Sequence, residues 1–201
     1  SIIAKTNTGN DNQTVAHGLG VAPDLIIVKN RSTSNSWVLG YNTAGFNWAN
    51  DYIQFDTGGE KGDGSGTVFG AAPTSTVFTT GSGINGTNGV TQIAYCFASV
   101  DGFSKVGSYT GNGNADGPFV YLGFRPSLVI VKKITDAAHN WVVVDDKREP
   151  INDQGDVSFL LVDTNAAEDT DPCINLLSNG FVVQDTAARY NTNGSQYIYL
   201  A

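Results

Sequence analysis

The sequence predicts an all-β fold, built as two tandem β-sandwich domains of a jelly-roll-like type that arose by internal duplication. Three observations lead to this prediction. The chain repeats itself, its apolar residues occur in short runs rich in Ile and Val, and turn-forming Asn-Gly pairs separate these runs. Convincing helical periodicity is hard to find, which leaves strands as the predicted core elements.

The repeat extends over almost the whole chain. Residues 18–29 return as residues 122–132, and Trp37 returns as Trp141, about 100 residues later. Each copy is long enough to bury a core of its own, so we expect a domain boundary where the copies meet. The predicted domains are residues 1–98 and residues 99–201.

Each copy offers about six or seven short strands. The first clear strand of each copy follows a Pro and ends at polar turn residues, which is typical of a central sandwich strand. A strand near Trp37 or Trp141 then completes a hairpin. The next strand alternates Tyr, Gln and Phe in the first copy and is more apolar in the second. The predicted strands are residues 24–29, 36–39, 51–56, 76–80, 92–98, 127–133, 140–144, 158–162, 180–184 and 196–201.

Glycine-rich loops connect these strands. Residues 8–12 and 110–114 are equivalent in the two copies, so we expect a required turn at the start of each. Residues 58–66 lack the spacing of a phosphate-binding loop and any helix after it. They are therefore predicted to form a surface loop.

Charge and composition exclude several partners. The net charge of -8 opposes binding to a phosphate backbone, so nucleic acid is not an expected partner. No apolar run approaches the roughly 20 residues that span a bilayer, so membrane insertion is not expected. Cys96 and Cys173 are not equivalent in the two copies and are predicted to be free thiols.

No catalytic residue is predicted. His17 and His139 are not equivalent in the repeat, and no Ser lies in a nucleophile-elbow motif. Asp145 and Asp146 are neighbours on a strand and point to opposite faces, so they cannot both flank one glycosidic bond. We expect one of them to pair with Arg148.

No cofactor is predicted either, with calcium as the alternative. Two acidic loops have the oxygen ligands that Ca²⁺ prefers, although neither matches the EF-hand loop. Acidic surface loops are commonly only solvated. The acidic residues are Asp56, Glu60 and Asp63 in the first copy, and Asp163, Glu168, Asp169 and Asp171 in the second.

Aromatic residues are the best candidates for ligand contacts. Trp37 and Trp141 are equivalent in the repeat and are predicted to pack in the core. Trp48 has no twin in the second copy, and Tyr190 lies in a loop-like segment. Trp48 and Tyr190 are therefore the candidate recognition residues, with core packing as the alternative for each.

The chain also resembles a family of bacteriophage proteins that is common in marine phages. The resemblance covers nearly the whole chain in two copies. The family is described as virion structural or tail-fibre-like, and it supplies no catalytic residues. The matching segments are residues 95–113, the Gly123-Phe124-Arg125-Pro126 strand, Trp141, and residues 145–150, 178–181 and 197–201.

This resemblance implies a non-enzymatic virion protein on a tail fibre, appendage or capsid surface. It would serve assembly and host attachment, with other virion proteins, further copies of itself in a homo-oligomer such as a trimer, and a host glycan or protein as partners. The alternative is a carbohydrate-binding module or a glycan-cleaving spike domain, in which exposed aromatics and carboxylates hold sugar.

Overall fold

The structure is a computed structural model that describes residues 1–9, 12–136, 139–148, 157–171 and 173–201. Strands make up 41% of it and helices 4%. The strand pairs found among these residues are all antiparallel. The all-β prediction is confirmed.

The chain divides into two compact units. Unit 1 contains Ser1–Phe55 and Lys61–Ser99, and unit 2 contains Asp56–Glu60 and Val100–Ala201. The predicted boundary after residue 98 lies next to the observed one. One segment differs, because residues 56–60 belong to the first sequence copy and pack within unit 2.

A buried lysine holds this segment. Lys132 is 1% exposed, and its Nζ donates a hydrogen bond to the carbonyl oxygen of Gly58 at 2.8 Å and another to that of His139. Burial lowers the pKa of Lys132 to about 8, and the nearby charge of Asp163 opposes this shift.

Unit 1 consists of a six-stranded sheet, a two-stranded sheet and one helical turn. The large sheet has the order β1-β8-β3-β4-β5-β6, and β2 pairs with β7 in the small one. The elements are β1 (Ile2–Thr6), β2 (Gln13–Ala16), β3 (Leu25–Asn30), β4 (Val38–Tyr41), β5 (Asp51–Gln54), β6 (Gly62–Asp63), β7 (Val77–Thr80), α1 (Ser82–Asn85) and β8 (Thr91–Phe97).

Unit 2 has a six-stranded sheet, a three-stranded sheet and a second helical turn. Its large sheet has the order β9-β17-β11-β12-β13-β14, and its small sheet the order β10-β16-β15. The elements are β9 (Val106–Thr110), β10 (Phe119–Tyr121), β11 (Leu128–Lys133), β12 (Val142–Asp145), β13 (Val157–Leu161), β14 (Asp169–Asp171), β15 (Ile174–Leu177), β16 (Gly180–Val183), α2 (Ala188–Asn191) and β17 (Gln196–Leu200).

The large sheets of the two units follow the same strand order. In each large sheet, the first strand of the unit lies at the edge and pairs with the last strand of the unit. The hairpin strands come next across the sheet, in chain order. In each unit, the core lies between the large sheet and the small sheet. The units are thus sandwich-like, with sheets of unequal size. Among the described residues, unit 1 divides eight strands between its two sheets, and unit 2 divides nine.

The predicted turn at the start of the second copy is present in unit 2, whereas that of the first copy includes residues 10 and 11, which lie outside the described residues. Gly9 has a φ of +76° and lies against Asn88, and Gly113 has a φ of +67° and lies against Asn193. In unit 2, the buried side chain of Asn191 accepts a hydrogen bond from the backbone N–H of Asn112 at 2.7 Å. Its amide nitrogen donates to the Asn114 carbonyl at 2.6 Å. Asn191 therefore fixes the shape of this turn.

The two helical turns, α1 and α2, have four residues each. No helix in the described part of the chain is long and apolar enough to cross a bilayer.

Candidate functional site

An open cleft in unit 1 lies where β4, β5 and β6 of the large sheet approach α1 and residues 67–68. Its volume is about 480 Å³, and small-molecule sites commonly have volumes of roughly 300–1,000 Å³. Polar side chains dominate the lining, among them Ser36, Tyr52, Gln54, Asp63 and Thr67. We call this the polar cleft.

Strand alternation places Tyr52 and Gln54 on the same wall. Asp51 and Ile53 are buried, while Tyr52 and Gln54 between and after them are half-buried. Gln54 pairs across the sheet with Val38, which also lines the cleft. This wall therefore offers an aromatic ring, an amide and an apolar side chain.

Gly62 makes room for the ring of Tyr52. The two residues are cross-strand partners in β5 and β6. A Cβ atom on Gly62 would lie 2.6 Å from Cζ of Tyr52, closer than non-bonded atoms allow. The absence of a side chain at position 62 lets the tyrosine ring lie against the strand backbone. The ring also lines the polar cleft.

A tight turn holds Asp63 at the rim. The Thr67 N–H donates to the Gly64 carbonyl at 3.0 Å, and Ser65 and Gly66 both have positive φ, of 48° and 82°. Two positive φ angles at the central positions define a type I′ turn. The Ser65 N–H donates to Oδ1 of Asp63 at 2.7 Å, which fixes the exposed carboxylate relative to the turn.

Among the described residues that line the polar cleft, Asp63 has the one charged side chain. The carboxylate of Asp51, on the neighbouring strand, is buried and pairs with Lys61 at 2.5 Å. Nζ of Lys61 also donates to the Gly45 carbonyl at 3.0 Å, so this ammonium group is held by partners outside the cleft lining.

The corresponding position in unit 2 is filled. Gln54 pairs with Val38 in unit 1, and Leu161 pairs with Val142 in unit 2, so Leu161 and Phe159 stand where unit 1 has Gln54 and Tyr52. Phe159 is completely buried, and its ring meets that of Tyr190 edge to face at 6.2 Å. Tyr190 is the third residue of α2, and the third residue of α1 is the smaller Ile84.

Trp48 is a core residue, which corrects its interpretation as an exposed contact. It is 7% exposed, and its ring meets Phe46 and Phe69 edge to face at 5.4 and 5.3 Å. Gly40 creates the space for it, since a Cβ there would lie 2.1 Å from the Trp48 ring. Trp48 therefore packs in the core, which was the alternative prediction for this residue.

Tyr190 is also a core residue and not an exposed loop aromatic. It lies in α2 and has no exposed surface. Its ring contacts the ring of Phe159, and Cζ of the Arg189 guanidinium is 5.8 Å from its centre. Burial raises its pKa well above the usual range. Its segment was predicted as a loop because a four-residue helix is too short to show a helical period.

Trp37 and Trp141 occupy different environments although the sequence pairs them. Trp141 is 3% exposed, as predicted. Trp37 is only half-buried and stacks on Tyr95 at 6.2 Å, with Nζ of Lys29 5.8 Å from its ring centre. Its neighbour Val38 points toward the core, so strand alternation turns Trp37 to the opposite face of the sheet.

Two of the acidic residues named as candidate calcium ligands have other contacts. Asp163 accepts hydrogen bonds from Asn140 and from the Trp141 N–H, at 3.1 Å each, and Glu168 pairs with Arg148 at 2.8 Å. Within the described ranges, no group of three or more His, Cys, Asp or Glu residues could hold a metal ion.

Two smaller predictions are confirmed. Arg148 pairs with Asp145 at 3.0 Å. Cys96 and Cys173 are free and buried, and burial raises their thiol pKa values to about 11 and about 12, so both stay protonated at neutral pH.

Sequence reasoning did not select Tyr52, Gln54 or Asp63 as a recognition site. The sequence does contain one indication of this site. The strand at residues 51–56 has polar residues at alternating positions, whereas its counterpart in the second copy is more apolar. Asp63 was noted only as part of an acidic loop. The predicted surface loop of residues 58–66 is divided in the structure, with residues 56–60 in unit 2 and β6 at the rim of the polar cleft.

Comparison with curated proteins and with solved structures found no match. A family model, in contrast, matches residues 1–201, the full length of the sequence. The chain belongs to the family described as Domain of unknown function (DUF7483).

Proposed function

We propose that this chain is a non-enzymatic module of a bacteriophage virion, and that its first unit attaches the particle to a host-surface glycan. The observation that carries the glycan part is the polar cleft. The resemblance to virion structural and tail-fibre-like repeats supports the location on the particle, which is the extracellular surface where host glycans are met.

The lining of the polar cleft matches the chemistry of a sugar. Ser36, Gln54 and Thr67 offer hydroxyl and amide groups that can exchange hydrogen bonds with sugar hydroxyls. The half-buried ring of Tyr52 offers an apolar face for the C–H side of a pyranose. A site with one aromatic face and several polar groups is suited to a saccharide.

Binding without cleavage is favoured by the carboxylates. Glycoside hydrolysis uses two carboxyl groups about 5 to 9 Å apart, one on each side of the scissile bond. In the described part of the cleft lining, Asp63 has the one carboxylate, and Asp51 is buried in its ion pair with Lys61. The described lining residues therefore supply one of the two carboxyl groups that a glycosidase uses.

A second candidate function, assembly, is favoured by a groove on unit 2. This groove is a depression of about 310 Å³ lined by Gly102, Phe103, Phe124, Arg125 and Leu128. Two of its apolar side chains are exposed, Phe103 to 78% and Leu128 to 41%. Exposed apolar side chains of this kind mark contacts between proteins. Further copies of the chain are the proposed occupant. Light scattering would then show an oligomer that Phe103→Ser dissociates, and a monomer in both samples would contradict this role.

The attachment proposal is tested with a glycan array and calorimetric titration of the purified chain. Tyr52→Ala should weaken saturable glycan binding about tenfold, since losing an aromatic contact of about 1.4 kcal/mol changes an equilibrium tenfold. Tyr121→Ala is the matched control, because Tyr121 is 65% exposed and lies on β10 of unit 2. Absence of saturable binding to any glycan, or equal loss in both variants, would refute the proposal.

A further inference from the structure

We infer that the polar cleft prefers amino sugars with a protonated amine over acidic sugars. This inference rests on the proposed glycan binding and names the class of sugar that the same site selects. It is carried by the identity and position of Asp63, the one charged side chain that the structure describes in the cleft lining.

The Asp63 carboxylate is placed to meet a ligand. It is exposed at the end of the edge strand β6, beside the glycine that faces Tyr52. Oδ1 accepts the Ser65 N–H at 2.7 Å, so the group is oriented by the turn. In the described part of the chain, no Lys or Arg forms an ion pair with it.

The nearest lysine along the chain does not cancel this charge. Lys61 lies two residues before Asp63, but its Nζ is 2.5 Å from Oδ2 of Asp51 and also donates to the Gly45 carbonyl. The Asp51–Lys61 pair is neutral overall and leaves the cleft with the charge of Asp63. The chain as a whole carries -8, which adds a negative background.

This charge has opposite effects on two classes of sugar. A carboxylated sugar brings a like charge toward Asp63 and is disfavoured, while an ammonium-bearing sugar gains an attractive contact. Because Asp63 is exposed, the gain is that of a surface ion pair and is screened by salt. We expect roughly fivefold tighter binding of the amino sugar than of its neutral counterpart at low ionic strength.

The test uses three oligosaccharides of equal length with the intact chain. They are a chitosan oligomer with free amines, the same oligomer fully N-acetylated, and a uronic acid oligomer. Titration calorimetry at low salt should rank them in that order. Asp63→Asn should remove the difference in affinity between the free-amine and N-acetylated oligomers.

Asp116→Asn is the matched control, because it removes the same charge at an exposed position of unit 2. Three results would overturn the inference while leaving glycan binding intact. These are equal affinity for the amine and N-acetyl oligomers, a preference that survives in Asp63→Asn, and a preference that Asp116→Asn also removes. If neither these three oligomers nor any array glycan binds, the proposed function itself fails.

Discussion

A single glycine helps to shape the surface that Tyr52 presents. The ring can lie against β6 only because Gly62 has no Cβ. Unit 2 uses the same arrangement in its core, where a Cβ on Gly107 would lie 2.7 Å from Cζ of its partner Tyr199, which is 4% exposed. The local relation of glycine to tyrosine is thus the same in both units, and the surroundings decide whether the ring remains open to a cleft. Sequence alone shows the glycine but not the residue that pairs with it.

The buried ammonium of Lys132 predicts a pH-dependent stability. Its pKa is about 8 in the folded chain and 10.5 in an unperturbed lysine. Below about pH 8 it is charged in both states, and its burial opposes folding. Between these two values the unfolded state keeps a proton that the folded state has lost, so the free energy of unfolding contributed by Lys132 rises with pH.

Urea unfolding at pH 7 and pH 10 measures this effect against Lys132→Met, which cannot titrate. Titrating cysteines and tyrosines affect both proteins, so the difference between them isolates Lys132. The wild-type protein should gain stability relative to the variant on going from pH 7 to pH 10. A difference that stays constant or falls would show that Lys132 is not desolvated as the structure has it.

At the scale of elements, the central strands of the two large sheets were predictable and the edge strands of these sheets were not. The runs that became β3 and β11 contain Ile and Val and lie between other strands, so burial leaves a clear sequence signal. The edge strand β1 has a mixed pattern of exposed and half-buried residues, and β6 has only two residues, one of them glycine. Such strands are fixed by pairing with a neighbour, which local sequence does not record.

The candidate site could be predicted only in part for the same reason. The polar character of the 51–56 strand is visible in the sequence, but its partners in the cleft come from β6 and from residues 67–68. The sequence predicts Trp48 as a recognition residue because the second copy has no equivalent tryptophan. The lack of a twin reflects a different core arrangement, in which Trp48 occupies the space beside Gly40.

Exchange of one residue between the equivalent strands β5 and β13 tests the role of the cleft wall. Gln54→Leu gives unit 1 the side chain that unit 2 carries as Leu161. We expect loss of glycan binding without loss of thermal stability, because a half-buried amide is replaced by an apolar group of similar size. Titration calorimetry and thermal unfolding on the same samples check both. Unchanged affinity would remove Gln54 from the binding surface.

At the scale of the whole molecule, two units with one sheet order have different cores. The core of unit 2 is rich in tyrosine, with Tyr109 and Tyr197 stacked at 4.9 Å. The core of unit 1 instead contains Trp48 and Phe69 and leaves the polar cleft beside them. The same order of strands therefore does not require the same core residues, and the two units can carry different functions.

Each unit contains one buried cysteine, and the rate at which its thiol reacts with a reagent measures how often that unit opens. Cys96 and Cys173 are 1% and 0% exposed, so neither should react with a thiol reagent under native conditions. Trp48→Ala should lower the free energy of unfolding by about 3 kcal/mol, because it removes a large side chain from the core cluster that contains Cys96. Peptide mass spectrometry after pulse labelling should therefore show faster modification of Cys96 than of Cys173.

The matched control is Trp37→Ala, which truncates a half-buried tryptophan outside that cluster and should have a smaller effect on Cys96. Equal acceleration at both cysteines in Trp48→Ala would mean that the two units open together.

The position of β6 at the end of its sheet has an evolutionary consequence. This strand has two residues, pairs only with β5, and continues into a turn at the rim of the cleft. Substitutions on an edge strand and its turn disturb few other contacts, whereas substitutions in β3 or β8 would disturb the whole sheet. Under the proposed attachment function, variation at this rim would change which glycan the chain binds while the fold is inherited intact.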